Sequence, residues 1–225
     1  MIERLIEQAS SYAGDIDGLI ILVAVLVGFW FLVAEGALLA LVIRFRAKPG
    51  QTAEYLTGNE EYVKRWISFP HALVLICDVF IIVGSVQVWY DVKQRLPEAD
   101  YTIRVIGQQW AWTFQHPGAD GVLDTDDDIR TVDDLHVAVD RTYHFQLESR
   151  DVLHSFSVPV FRLKQDAVPG RRITGWFRPT RTGRHDMQCA EICGFGHGMM
   201  VSSITIEDAG EHAEWIAANT PIEAQ

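Results

Sequence analysis

The chain opens with two long, nearly continuous apolar runs. The first covers residues 19–43 and is interrupted only by Glu35, whereas the second covers residues 67–90 and contains His71 and Asp78. Since about 20 apolar residues suffice for a helix to cross a bilayer, each run predicts a transmembrane helix. The pattern therefore predicts a two-helix transmembrane hairpin within residues 1–92, in which Cys77 is a small buried apolar residue.

A cleaved signal peptide is the alternative interpretation of the first run. Such a peptide has a basic start and a shorter apolar stretch, but here the preceding residues include Glu7, Asp15 and Asp17. The acidic start favours a retained span. Glu35 and Asp78 are costly at membrane depth, and they suggest packing against a larger membrane protein. Whether they serve a proton path or bond to a partner helix stays open.

Basic residues between the two runs predict the orientation of the hairpin. They are Arg44, Arg46, Lys48, Lys64 and Arg65. Basic loops remain on the cytoplasmic side, so both termini and residues 93–225 are expected outside. We interpret the membrane as a bacterial plasma membrane, with residues 93–225 on its periplasmic side.

The pattern changes after residue 100 to short segments in which apolar and polar residues alternate. The predicted strands are residues 101–106, 110–115, 135–139, 143–148, 156–160, 173–177 and 201–206. Turn residues separate them at Pro117-Gly118, Asp120-Gly121, Pro169-Gly170 and Gly183. Many short strands with such turns predict a β-sandwich or barrel. A short closing helix is expected after Asp208, with Glu211 completing a capping box and Trp215 and Ile216 on its apolar face.

The net charge of the chain limits the classes of molecule that it can bind. The 225 residues include 19 basic and 30 acidic side chains, a net charge of −11, which argues against a nucleic-acid binder. Residues 120–140 carry eight acidic residues and one basic residue. Residues 124–128 resemble a calcium loop only faintly, because the required Gly and Glu positions are absent. We interpret the segment as a solvated acidic loop, which is compatible with docking of a basic protein.

One segment concentrates metal-binding side chains. Cys189, Cys193, His197 and Met200 follow one another at spacings of four, four and three, and His154 lies earlier, just before a predicted strand. Soft sulfur ligands combined with imidazole suit copper, and two thiolates can bridge two copper ions. A Cys189–Cys193 disulfide is an alternative outside the cell, but it would leave the His and Met spacings unexplained. Zinc is a further alternative, although Met is a poor zinc ligand. The remaining histidines, His71, His116, His136, His144, His185 and His212, are interpreted as structural or exposed.

The pattern C-x-E-x-C-G-x-G-H-x-x-M, preceded by D-x-x-H-S, resembles subunit II of haem-copper cytochrome c oxidases. The resemblance covers almost the whole chain and implies two membrane helices followed by a cupredoxin domain with a dinuclear copper A centre. The implied copper ligands are the side chains of His154, Cys189, Cys193, His197 and Met200 and the main-chain carbonyl of Glu191. The family also implies that the Glu191 carboxylate can contact a magnesium ion at the border with subunit I.

The resemblance also assigns a role to an aromatic segment, Gly107-Gln-Gln-Trp110-Ala-Trp112. Trp110 is implied as the entry point for electrons from a c-type cytochrome. Because Trp110 and Trp112 are two apart on a predicted strand, we expect their side chains to point to the same face. The alternative is that both belong to the core.

The implied function is that of the electron-entry subunit of a terminal oxidase in a respiratory chain. Electrons would pass to haem in subunit I, where oxygen is reduced to water. The chain lacks the C-x-x-C-H motif of relatives with a fused haem domain, and Val63 replaces a glutamate that many relatives carry before Trp66. The rival hypotheses are a nitrous-oxide-reductase-like protein, for which the histidines are too few, and a membrane-tethered copper carrier.

Overall fold

The computed structural model describes residues 6–53 and 55–221. Their contacts form two compact units, one made of Asp17–Tyr90 and the other of the described residues before and after it. The domain boundary expected at residue 92 stays a prediction, as does the outward position of the two termini, whose last residues lie outside the described ranges.

The first unit holds all of α1 (Ala13–Arg44) except its first turn, and the whole of α2 (Glu61–Trp89). A π-helical turn, Tyr90–Gln94, follows α2 directly. Both helices are long and apolar enough to cross a membrane, in agreement with the predicted hairpin. Both helices extend beyond the apolar runs into the flanking polar residues.

Side chains of α1 and α2 meet at the middle of the hairpin. The indole N–H of Trp30 donates to the sulfur of Cys77 at 3.3 Å. Cys77 is half-buried within this chain, whereas a small buried apolar residue was expected. Glu35 and Asp78 are exposed on the two helices. Membrane-depth carboxylates on such surfaces suit a chain that packs against further helices.

In its described residues the second unit contains ten strands and one complete α-helix. The strands are β1 (Tyr101–Gln108), β2 (Ala111–His116), β3 (Ile129–Val132), β4 (Asp134–Ala138), β5 (Tyr143–Ser149), β6 (His154–Val158), β7 (Leu163–Ala167), β8 (Ile173–Phe177), β9 (Gly183–Cys189) and β10 (Val201–Glu207). They form two five-stranded sheets, in the orders β3-β2-β1-β5-β8 and β4-β10-β9-β6-β7. The β1–β5 and β4–β10 pairs are parallel, and the other neighbours are antiparallel.

The inward faces of the two sheets form one aromatic core. Trp112, Phe114, Phe145 and Phe177 are fully buried, and Phe156 packs edge-on against Trp112 and Phe145. Aromatic side chains of this size each bury a large apolar area, which is why ten short strands form a stable sandwich. The predicted fold class, two membrane helices followed by a β-sandwich, is confirmed.

A segment before α1 belongs to the β-sandwich unit. Ala9 N–H donates to the carbonyl of Val160 at 2.9 Å, and Thr180 N–H donates to the carbonyl of Ala9 at 2.9 Å. Tyr12 is buried, and its hydroxyl donates to the carbonyl of Trp176 at 3.2 Å. The hydropathy pattern gave no sign of this segment, because it holds itself to the sandwich mainly through backbone groups.

The closing helix, α3 (Ala209–Asn219), begins as predicted. The Asp208 carboxylate accepts hydrogen bonds from the N–H groups of Gly210 and Glu211, and the Glu211 side chain returns to Asp208 N–H. This reciprocal pair is the predicted capping box. Gly183, by contrast, was expected in a turn but is the first residue of β9.

Candidate metal centre

The predicted metal ligands converge at one end of the sandwich because of how β9 and β10 are joined. Cys189 ends β9, Met200 directly precedes β10, and Cys193 and His197 lie on the connecting loop. Cys189 N–H donates to the carbonyl of Met200 at 3.0 Å, which closes this loop. His154 begins the neighbouring strand β6, whose Phe156 pairs with Cys189.

The sulfur and nitrogen atoms of these residues form a compact group. The two Sγ atoms of Cys189 and Cys193 are 3.7 Å apart. Nδ1 of His154 lies 4.0 Å from Cys189 Sγ, and Nδ1 of His197 lies 3.7 Å from Cys193 Sγ. Met200 Sδ is 3.8 Å from Cys193 Sγ. The arrangement places one imidazole beside each thiol, with the thioether beside one of them.

These separations fit ligands that share metal ions. Ligands of first-row metals bind at about 2.0–2.3 Å, so two ligands of one ion can be about 4.6 Å apart at most. The ligand atoms of His154, Cys189 and Cys193 all lie within 4.8 Å of one another. A disulfide would need sulfur atoms about 2.05 Å apart, and both cysteines are free thiols. The donor set therefore fits soft metal ions rather than a disulfide.

The carbonyl oxygen of Glu191 also faces the group. It lies 3.2 Å from Cys189 Sγ, within the same loop. A backbone carbonyl at this place can serve as a weak additional ligand, as the family resemblance implies. The role implied for the Glu191 carboxylate stays a prediction.

Burial of the site makes a thiol harder to ionise. Burial, together with the adjacent Cys189, raises the pKa of the Cys193 thiol to about 11. Two thiolates this close would repel each other in an apolar pocket unless a cation lay between them. A bound metal supplies that positive charge and keeps both sulfurs deprotonated.

A carboxylate fixes the orientation of His154. The Nε2 of this fully buried ring is 2.8 Å from Asp151 Oδ1. Because an ionised carboxylate only accepts hydrogen bonds, Nε2 carries the proton and Nδ1 keeps its lone pair on the side of Cys189. Desolvation opposes ionisation of Asp151, but hydrogen bonds from Gln109 N–H and His154 outweigh it and lower the pKa of this carboxyl.

Trp110 lies directly against the loop that joins β9 to β10, residues 190–200, from here on the ligand loop. Its indole N–H donates to the carbonyl of Cys193 at 3.3 Å, and the neighbouring Gln109 side chain donates to the same carbonyl at 2.8 Å. A Cβ at Gly196 would stand 2.4 Å from the Trp110 ring, and one at Gly194 would stand 2.8 Å from the Gln109 amide. Gly194 also has a φ of 116°, which favours glycine. The loop's glycines thus let the aromatic segment approach the ligands.

The two tryptophans of that segment differ in exposure. Trp110 is 40% exposed, whereas Trp112 is 0% exposed and packs edge-on against the His154 ring. The predicted strand began at Trp110, but β2 begins only at Ala111, so the shared face stays a prediction. Trp110 lies in the β1–β2 turn, where strand alternation does not apply. The role of Trp110 in electron entry stays a prediction.

Exposed apolar side chains surround the ligand loop. Ile192 is 80% exposed and Phe195 is 99% exposed, and Met199 and Val201 are also exposed. Large apolar residues clustered around one site usually mark a contact surface for another protein or for a membrane.

The acidic segment 120–140 is a loop only up to Asp128, because β3 and β4 follow, so the expectation of a loop throughout was wrong. This part, from here on the acidic loop, lies at the other end of β2 from Trp110. It joins β2 to β3, so the six residues of β2, about 20 Å of extended chain, separate the two. Both carboxylate oxygens of Asp124 accept from the Arg104 guanidinium at 2.8 Å, which lowers the pKa of Asp124. Asp127 accepts from the Thr125 hydroxyl at 2.6 Å. The loop is therefore bonded to β1 and within itself rather than merely solvated.

Three of the remaining histidines form a cluster that sequence reasoning missed. The rings of His116, His136 and His212 surround Trp215 of α3, with centroid distances of 5.0, 4.3 and 5.8 Å. Glu207 accepts from His136 at 2.7 Å and from His212 at 2.8 Å. Their positions are spread over 97 residues, so no local spacing could have indicated the cluster. The expectation that they are structural or exposed stays a prediction.

Comparison with known proteins identifies the family. Residues 101–208 match the family model described as cytochrome C oxidase subunit II, periplasmic domain. The alternative cytochrome c oxidase subunit 2 of Bradyrhizobium diazoefficiens is 30% identical over 90% of this chain and 79% of its own length. The chain belongs to the cytochrome c oxidase subunit 2 family.

Further relatives agree with this membership. The cytochrome c oxidase subunit 2 of Cereibacter sphaeroides is 29% identical over 80% of this chain and 67% of its own length. The crystal structure of the periplasmic domain of cytochrome oxidase subunit II from Bradyrhizobium japonicum is 28% identical. It superposes with a TM-score of 0.50 over 56% of this chain and 96% of that chain. The chain is therefore a membrane-bound subunit of a haem-copper oxidase complex, and its sandwich is cupredoxin-like.

Proposed function

We propose that this subunit receives electrons from a c-type cytochrome and passes them to haem in subunit I, where oxygen is reduced to water. Two copper ions are the proposed cofactor, held by His154, Cys189, Cys193, His197, Met200 and the carbonyl of Glu191. Bound there, the copper pair would supply a site that takes up and releases one electron at a time. The observation that carries the proposal is the close approach of two free thiols, each with its own imidazole.

The chain's own residues prepare this site for rapid electron transfer. Asp151 fixes the His154 ring, and the Cys189–Met200 backbone hydrogen bond fixes the ends of the ligand loop. The buried positions of Cys189 and Met200 exclude water from the ligands. Ligands held in this way move little when the charge of the site changes, which keeps the reorganisation cost low.

Trp110 is the proposed point of electron entry. It is exposed on one side, and its indole bonds to the carbonyl of the ligand residue Cys193 on the other. The exposed apolar side chains of Ile192 and Phe195 support a protein contact at the same loop. We propose that the donor cytochrome and subunit I share this end of the sandwich, with magnesium at the Glu191 carboxylate on the subunit I side.

The proposed location follows from the basic inter-helix loop. Arg44, Arg46 and Lys48 would keep that loop in the cytoplasm, and the copper domain would face the periplasm of a bacterial plasma membrane.

Metal analysis and kinetics together test the proposal. The purified full chain in detergent should bind two copper ions, with an EPR signal of one electron shared by both. Stopped-flow mixing with reduced cytochrome c should reduce the centre. A single copper with a mononuclear spectrum contradicts the dinuclear centre. Co-purification of the chain with a multi-span haem subunit separates an oxidase role from that of a copper carrier.

A further inference from the structure

A cleft lies under α3, away from the ligand loop. Its volume is about 360 Å³. The floor is formed by β1, β4 and β5, and α3 covers it with small side chains at Ala209, Ala213 and Ala217. These positions are four residues apart, so they lie on one face of the helix. Cavities of 300–1,000 Å³ are typical of small-molecule sites, and about 150 Å³ suffices for benzene.

The cleft wall is mostly apolar and aromatic. Tyr101 and Tyr143 line it with rings stacked at a centroid distance of 5.5 Å, and Ile103 and Ile216 add aliphatic surface. Among the described residues that line the cleft, Arg141 is the one permanent charge, and it is paired with Asp100 at 3.4 Å. A charged guest would therefore lose its hydration without gaining a free counter-charge, which is costly.

Two polar groups of the wall have unused hydrogen-bonding capacity. His116 is 1% exposed, and its Nε2 has no hydrogen-bond partner among residues 6–53 and 55–221. The hydroxyl of Tyr143 accepts from Ala138 N–H at 2.8 Å, a bond that leaves its own proton available to an acceptor. Buried polar groups are nearly always satisfied, so such groups beside a cleft point to a missing partner.

The protonation of His116 indicates what that partner is. Burial, with smaller contributions from His212 and His136, lowers the pKa of His116 to about 3. The ring is therefore neutral at physiological pH, with one nitrogen that donates and one that accepts. A neutral imidazole and a phenol proton suit an uncharged oxygen group rather than an ion.

We propose that the cleft under α3 binds a small uncharged ring compound that carries one hydroxyl or carbonyl group. The ring lies between the tyrosine pair and the alanine face of α3, and its oxygen bonds to His116 and Tyr143. The site is independent of the proposed electron transfer, because no ligand of the metal centre lines it.

Phenol, toluene and benzoate are the probes that test the proposal. They share one ring and differ in having a hydroxyl, no polar group, or a charge. The full chain, labelled with ¹³C at isoleucine methyl groups, is titrated in detergent micelles and observed by NMR. Ile103 and Ile216 report the cleft, whereas Ile21 on α1 reports partition of the probe into the micelle. We expect saturable phenol shifts at the cleft methyls, toluene binding roughly 2- to 12-fold weaker for loss of one hydrogen bond, and benzoate binding weaker still.

Two variants on α3 form a matched pair. Ala213→Leu fills the cleft and should abolish the saturable shifts, whereas Ala218→Leu adds the same side chain on a face that does not line the cleft and should leave the phenol Kd unchanged. His116→Leu should remove the preference of phenol over toluene. Absence of saturable shifts overturns the proposal, as does equal phenol binding by Ala213→Leu. A nuclear Overhauser effect from water to the His116 ring without phenol binding means that the missing partner is water, which also overturns it.

Discussion

The two imidazoles beside the thiols are held to different degrees. His154 is fully buried and bonded to Asp151, whereas His197 is half-buried on the loop, and in the described ranges no carboxylate bonds to its ring. Residues that orient a metal ligand usually matter nearly as much as the ligand itself. The Asp151 contact therefore makes His154 the more rigid of the two proposed ligands.

Replacing Asp151 with Asn tests this difference. Asp151→Asn keeps the size of the side chain but weakens its hold on the imidazole proton, so copper affinity should fall roughly 10- to 100-fold. Competition for copper with a chelator of known affinity measures the loss. The matched control, Asp186→Asn on the exposed face of β9, should leave the affinity unchanged. Equal affinities for both variants would mean that Asp151 plays no part in orienting the ligand.

The two tryptophans should respond to substitution in opposite ways. Trp110→Gln removes an exposed ring, so copper content and fold should persist while the reduction of the centre by cytochrome c becomes much slower. Trp112→Phe alters the fully buried core and should lower the free energy of unfolding by about 1–3 kcal/mol with little effect on the rate. Stopped-flow kinetics and urea unfolding measure the two effects. An undiminished transfer rate in copper-loaded Trp110→Gln would rule out electron entry at this residue.

At the scale of single elements, α3 depends on imidazoles for its packing. Trp215 is surrounded by three histidine rings, and His116 is held neutral by burial, which lowers its pKa to about 3. In the unfolded chain a histidine has a pKa of about 6.5 and binds a proton below that pH. Between about pH 6.5 and pH 3 the unfolded state therefore binds more protons at this position, and stability falls as pH falls.

The size of this effect is measurable. From pH 7 to pH 5 the His116 contribution should lower the free energy of unfolding by about 2 kcal/mol. His116→Phe should remove this part of the pH dependence, whereas His144→Phe, on β5, should not reproduce the change. Urea midpoints of the full chain in detergent at both pH values provide the comparison. A His116→Phe variant with the parent's pH dependence would show that the protonation of other groups dominates.

Two carboxylates could attract a basic cytochrome: Asp126 in the acidic loop and Asp133 in the β3–β4 turn. Asp126 lies about 20 Å of strand away from Trp110, whereas Asp133 accepts a hydrogen bond from Trp112 N–H at 2.8 Å. With a Debye length of about 8 Å at physiological salt, a charge 20 Å away is largely screened. Asp133→Asn should therefore slow association with a basic cytochrome c more than Asp126→Asn does. A larger effect of Asp126→Asn in stopped-flow association rates would place docking at the acidic loop.

Seven of the ten strands were predictable from alternation, and the three others show where that signal ends. β3 and β7 are edge strands, which bury few residues and so carry little apolar pattern. β9 is central, but its outward face is polar and only Met187 and Cys189 are buried. Its position between β6 and β10 depends on pairing with distant segments, which local sequence does not encode.

The grouping of the candidate metal ligands was predictable for a different reason. Four of the side chains lie within twelve consecutive residues, so their spacing alone indicates a shared site. The histidine cluster around Trp215 and the cleft under α3 were not predictable, because their residues come from several separate strands and one helix. Trp110 falls between these cases, since its segment was recognisable but its exposure depends on where β2 begins.

At the scale of the whole molecule, charge asymmetry around the helices predicts the side of the membrane on which each part lies. The basic loop between α1 and α2 holds Arg46 and Lys48, and positively charged loops are retained in the cytoplasm. The cupredoxin-like sandwich follows α2 and should lie on the opposite side, which is the side that the proposed cytochrome donor requires.

Site-specific proteolysis of intact cells can test this orientation. A recognition sequence for a specific protease is inserted after Gln51 in the loop or, as the matched variant, after Gly121 in an exposed turn of the sandwich, since exposed loop tips tolerate insertion. Protease added to intact spheroplasts should cleave only the Gly121 insertion, because the bilayer shields the cytoplasmic loop. Both insertions should be cleaved after detergent is added, which confirms that each site is accessible. Cleavage at Gln51 in intact spheroplasts would reverse the orientation and exclude a periplasmic electron donor.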